Sequence, residues 1–134
     1  MTHHAVHLTL PEWIDAEVGD VVCTDDAAKI ALAIRLARRN VVERSGGPFG
    51  AVVFDAAGQV VAAGVNRVVP EHCSVAHAEM MAFMLAQQRL QRWRLNDDGG
   101  RYTLATSAQP CCQCYGASVW AGIDELLIGA RAED

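Results

Sequence analysis

From Tyr102 to Ile123 the chain carries no charged side chain, a run long enough to cross a bilayer, yet Thr103, Thr106, Ser107, Gln109, Pro110 and Gln113 interrupt it. Something other than lipid excludes charge there. Proline favours the first position of a helix, so the run reads as a strand, about Tyr102 to Thr106, followed by a helix that opens at Pro110. Three of the five cysteines, Cys111, Cys112 and Cys114, crowd into the start of that helix. In a reducing compartment, clustered thiols serve metal or redox chemistry more often than disulfide staples. This junction is where chemistry is to be sought.

Composition bounds what that chemistry acts on. A chain of 134 residues, 51% hydrophobic and 20% charged, is expected to form one soluble globular domain with its own core. The net charge is -5 and Lys29 is the only lysine, which argues against a nucleic-acid surface and for a small-molecule partner. The N-terminus lacks the basic start and long apolar core of a signal peptide. A cytoplasmic protein with no membrane segment is therefore expected.

Residues 1–22 show no clear period and are expected to be an irregular extension to a domain over 23–134. Thr24 offers an N-cap, Asp25 and Asp26 suit the positive start of a helix, and Ile30, Ile34, Ala37 and Val41 recur on one face until Gly46-Gly47. Phe49 to Phe54 and Val60 to Val65 flank Asp55-Ala-Ala-Gly58 and suit an antiparallel hairpin. Ser74 to Arg92 reads as a second helix, with Met80, Met81, Phe83 and Met84 as core, and Glu125 to Ala130 as a last strand. This order predicts an α/β chain: a three-layer α/β/α sandwich around a mixed sheet with an N-terminal antiparallel hairpin. Two helix starts, at Ser74 to His77 and at Pro110 to Cys111, open at the same edge of the sheet if their strands are neighbours.

At the first start stands His77-Ala78-Glu79 and at the second Pro110-Cys111-Cys112-Gln113-Cys114. Cys111 and Cys114 are three apart, on one face of the first turn, where the helix dipole is expected to lower thiol pKa. One imidazole and two thiolates suit zinc and leave a fourth tetrahedral position open, which is the catalytic arrangement. Two thiolates offset the charge of the ion, so a base beside it becomes more necessary, and Glu79 is suitably near. The joint chance of P-C-x-x-C and H-x-E in a chain of this composition is on the order of one in a thousand, and the pair is the known signature of zinc deaminases.

The stretch from Asp25 to Arg131 resembles the cytidine-deaminase-like zinc deaminases, and among them the guanine deaminase type. Gly46-Gly-Pro-Phe-Gly-Ala51, Asn66, Ala76-His-Ala-Glu79 and Pro110 through Tyr115-Gly-Ala carry the likeness. The resemblance implies one zinc ion per chain on His77, Cys111 and Cys114, a proton shuttle at Glu79 and a base-reading amide at Asn66. The implied reaction is hydrolysis of a purine-type base, guanine to xanthine plus ammonia with water as co-substrate, and triazines such as ammeline are further candidates. The backbone N–H of Ala78 and the ring of Phe49 are candidate substrate contacts. A homodimer is implied, and so is a segment beyond Asp134 that closes over the base. Gln109 departs from the glutamate usual before Pro-Cys, and Cys112-Gln113 from a commoner Pro-Met or Val-Met pair.

Other readings stand beside this one. A cytosine, nucleoside or tRNA-adenosine deaminase would use the same motifs, although the acidic composition argues against tRNA. A non-catalytic zinc module would recruit Cys73 or His72 as fourth ligand, and a redox pair would use Cys111 and Cys114 alone but leave His77 and Glu79 unexplained. Asn66 could merely end a strand, and Phe49 and Trp120 are core by default.

Overall fold

A computed structural model describes residues 3 to 134. Near its start, Trp13–Val18 form a short helix, α1. The expected irregular extension over 1–22 is corrected to that extent, while residues 1 and 2 lie outside the described residues. Tertiary contact explains a helix that periodicity does not reveal: Ile14 is buried in the core, the Trp13 indole donates to Ser45 Oγ at 3.0 Å, and Val22 bridges Gln59.

Helix α2, Asp26–Val42, is capped by Asp25 rather than Thr24, its carboxylate accepting from the Ala28 N–H at 2.8 Å. Its buried stripe is Leu32, Ala33, Leu36, Ala37 and Asn40. The expected face is corrected, since Ile34 is 40% and Val41 49% exposed. Close approach of helix to sheet decides this, because a Cβ at Gly50 would collide with the Ala33 carbonyl and only a face of small residues lets the backbone come so near.

Strands β1, Gly50–Phe54, and β2, Val60–Val65, form the expected hairpin. Helix α3, Ala78–Leu90, begins four residues later than Ser74, because Cys73 to Ala76 are held in a turn by Ala76 N–H to Cys73 O and Arg67 N–H to Ala76 O. Its buried face is Ala78, Glu79, Met81, Ala82, Phe83 and Ala86, with Met80 and Met84 half-buried. Strand β3, Thr103–Ala108, leads to α4, Cys112–Ala121, whose N-cap is Cys111, so Pro110 lies just before the cap and not at the first helical position. Strand β4, Glu125–Ala130, closes the order.

The sheet order is β2-β1-β3-β4. β1 pairs antiparallel with β2 and β3, and β3 parallel with β4. Strand alternation sends Val52, Phe54 and Ala105 toward α1 and α2, and Ala51, Val53 and Leu104 toward α3. This is the three-layer α/β/α sandwich with a mixed sheet. The registers Gly50 to Val65 and Ala51 to Thr106 bring the start of β1 and the ends of β2 and β3 to one end of the sheet. Phe49, Asn66 and Gln109 follow from those three strand ends, and α4 starts there.

Candidate active site

Two helix starts supply the first cluster at that end. His77 is the N-cap of α3 and Cys111 that of α4, and neither start carries a side-chain cap, while Cys114 lies buried in the first turn of α4. His77 Nδ1 is 3.5 Å from the Sγ of Cys111 and 3.5 Å from that of Cys114. All three ligand atoms lie within 4.8 Å of one another. A neutral imidazole nitrogen has one lone pair and cannot accept from two thiols at once. Nitrogen and sulfur sharing a tetrahedral zinc, with Zn–N ~2.05 Å and Zn–S ~2.3 Å, sit about 3.6 Å apart, so spacing and donor set both fit that ion. Among the described residues neither Cys73 nor His72 joins the group.

Burial, and after it the Glu79 carboxylate and Cys111, push the Cys114 thiol well above its ordinary value. For Cys114 the expected lowering is corrected: desolvation raises the thiol, and a bound cation is what would draw this proton off.

A cavity of about 160 Å³ adjoins the cluster, lined by Phe49, Asn66, His77, Glu79, Ser107, Ala108, Gln109 and Cys111. Among the described residues Glu79, 8% exposed, is the only carboxylate in that wall. Asn66 Oδ1 accepts from the Val68 N–H at 3.2 Å. A backbone N–H can only donate, so this bond fixes which way the amide points, and Asn66 Nδ2 has no hydrogen-bond partner among the described residues. Phe49 lines the cavity half-exposed, whereas Ala78 is fully buried and is not among its lining residues. Trp120, 74% exposed, belongs neither to core nor to cavity.

Ser107 and Ala108 also line the wall, and their place at the end of β3, three and two residues before Pro-Cys, is the sequence signal that marks them. Ser107 Oγ accepts from the Gly50 N–H at 3.0 Å, tying β1 to this wall. Gln109 Oε1 accepts from the Ala132 N–H at 2.9 Å, so the amide standing in place of the usual glutamate holds the chain after β4. Cys112 is exposed and Cys73 half-buried, both as free thiols.

The family model for the cytidine and deoxycytidylate deaminase zinc-binding region matches residues 23–130. The chain belongs to that family. Within this zinc-binding deaminase family it is similar to the guanine deaminase of Bacillus subtilis, 39% identical over 102 residues, which are 76% of this chain and 62% of that protein. It is also 34% identical over 107 residues to a tRNA-specific adenosine deaminase of the same organism, covering 80% of this chain and 63% of that enzyme. A solved guanine deaminase from Nitrosomonas europaea superposes with a TM-score of 0.91 at 38% identity, over 99% of this chain and 74% of the solved one. The chain thus spans less than two thirds of the length of either Bacillus relative.

Proposed function

We propose that this chain carries a zinc-dependent hydrolytic deamination of guanine, giving xanthine and ammonia. The observation that supports this reading is the meeting of three ligand atoms, one buried carboxylate and one unpartnered amide donor at a single cavity of base-like size. Similarity to two guanine deaminases leans the same way.

His77, Cys111 and Cys114 hold the metal. Zinc, when bound, supplies Lewis acidity that makes water a usable nucleophile near neutral pH. Glu79 takes one proton from the attacking water and passes it to the ring nitrogen, then takes the proton of the hydroxyl now on the carbon and passes it to the amine, so that the carbonyl forms as the carbon–nitrogen bond breaks and ammonia leaves neutral. Asn66 Nδ2 donates to an acceptor on the base edge, and its Oδ1, with a second lone pair free, accepts from a neighbouring N–H. Phe49 covers one face of the ring. Among the described residues no cationic side chain lines the cavity, which favours a neutral free base over a nucleotide. Among the described residues no helix is long and apolar enough to cross a membrane, and five free thiols support a reducing, cytoplasmic setting.

The net charge of -5 weighs against tRNA, the substrate of the other relative, because phosphate contacts dominate such affinity. Ammonia release from guanine, ammeline, cytosine, cytidine, adenosine and a tRNA anticodon stem, measured with zinc content on the same preparation, tests the reading. Guanine is expected to be turned over fastest at one zinc per chain. Preference for cytidine or for the tRNA stem would replace the substrate assignment, and zinc without any turnover would leave a binding module.

A further inference from the structure

Asn40 is fully buried on the last turn of α2, where the other buried side chains are apolar. A carboxamide there is costly unless both of its ends are paired, and both are. Nδ2 donates to Gly47 O at 2.8 Å and to Asn66 O at 2.9 Å, while Oδ1 accepts from Ser45 Oγ at 2.7 Å. Gly46 makes the approach possible, since a Cβ there would overlap the Asn66 carbonyl and lie 2.7 Å from Asn40 Nδ2. The Gly47 carbonyl also accepts from the Phe49 N–H at 2.8 Å, and the Phe49 carbonyl from the Asn66 N–H at 3.1 Å. One amide therefore joins the two backbone segments that carry Phe49 and Asn66 into the cavity wall. None of its bonds involves His77, Cys111 or Cys114.

We infer that Asn40 is a positioning residue for base recognition: its amide clamps the Gly46-Gly47 turn to the backbone of Asn66 and sets where the Phe49 ring and the Asn66 carboxamide face the cavity. The inference rests on the reading of that cavity as a purine site. Its loss loosens the wall that reads the base while the metal cluster, built on α3 and α4, stays intact. Binding and chemistry then separate.

The test compares the wild-type chain with Asn40→Ala by amide hydrogen exchange, zinc content and steady-state kinetics on guanine. Exchange in peptides covering 45–49 and 65–68 is expected to rise about tenfold or more, with core peptides around Met81 and Leu104 unchanged and zinc still at one per chain. KM for guanine is expected to rise about tenfold with kcat within about threefold, the pattern of lost binding rather than lost chemistry. Ser45→Ala, which removes the hydroxyl on Asn40 Oδ1 and with it the acceptor of the Trp13 indole but leaves both Asn40 Nδ2 bonds, shifts the same readouts the same way by less, and decides the matter if Asn40→Ala does not fold. Unchanged exchange in those two peptides, a uniform rise across the core, loss of zinc in parallel, or an unmoved KM each overturns the inference. If the wild-type chain does not act on guanine, the substrate reading falls by that result alone, and the exchange data still decide whether the clamp exists.

Discussion

Glu79 lies two residues past the N-cap of α3, nearly buried and yet on the cavity wall. That combination suits a group which must exchange protons in a site that excludes bulk water. Glu79→Ala is expected to keep one zinc per chain and to lose about 10²–10⁴-fold in kcat, the usual contribution of general acid–base catalysis. Metal analysis beside the kinetics checks it, since a variant that loses its zinc would make Glu79 a ligand. The neighbouring thiols divide just as sharply: Cys111 and Cys114 approach His77 Nδ1, whereas Cys112 points from the exposed side of α4. Cys111→Ala is therefore expected to abolish stoichiometric zinc, and Cys112→Ala to bind one ion per chain as before. The reverse result would shift the ligand register by one residue.

Among the elements, α3 is held against the sheet by contact at Gly64, where a Cβ would collide with the Ala78 carbonyl and lie 2.7 Å from the Ala82 nitrogen. Gly64→Ala has to push back the helix that begins with His77. It is expected to cost roughly 1–3 kcal/mol, as overpacking does, seen as a lower Tm, and to weaken zinc binding, which a competition titration measures. Such close approaches explain what sequence makes legible and what it hides. The hairpin and strands β3 and β4 follow from local pattern, because they depend on short apolar runs, whereas His77 meets Cys111 and Cys114 although the strands before their helices are not neighbours, since β1 lies between β2 and β3 and brings both strand ends to one end of the sheet. The buried face of α2 does not follow from local pattern, because Ala33 and Ala37 win over Ile34 and Val41 by size against a particular strand. The start of α3 shifts to Ala78 through the turn at Cys73 to Ala76 and the bond that Arg67 adds to it, and α1 exists through Trp13 and Ile14 reaching distant partners. No periodicity encodes contacts of that kind. The cavity was legible through Asn66 and Glu79, whereas the buried Asn40 is visible only once Gly47 and Asn66 are seen on either side of it.

For the molecule as a whole, the outward side of α4 exposes Tyr115, Val119 and Trp120, next to the metal cluster. A patch of large apolar side chains on one helix is a candidate face for the homodimer that the sequence resemblance implies, and we propose that it is that contact. Val119→Glu combined with Trp120→Glu is expected to convert a dimer to monomer in light scattering at matched concentration. A wild-type chain that is monomeric at the same concentration ends that proposal. The metal cluster also has a global role, because His77 and Cys111 are separated by 34 residues and the chain between them contains all of β3. A bound ion closes that loop as a reversible stitch, and by the chain-entropy estimate used for disulfides such a closure is worth roughly 3–4 kcal/mol. Removing it with a chelator is expected to lower Tm by several degrees and restoring zinc to recover it, while an unchanged melting curve would mean that the sheet holds without the stitch. The stitch ties the supply of folded molecules to the supply of zinc. Metal scarcity would then thin the population of the protein itself, through unfolding and proteolysis, before idle enzyme could accumulate.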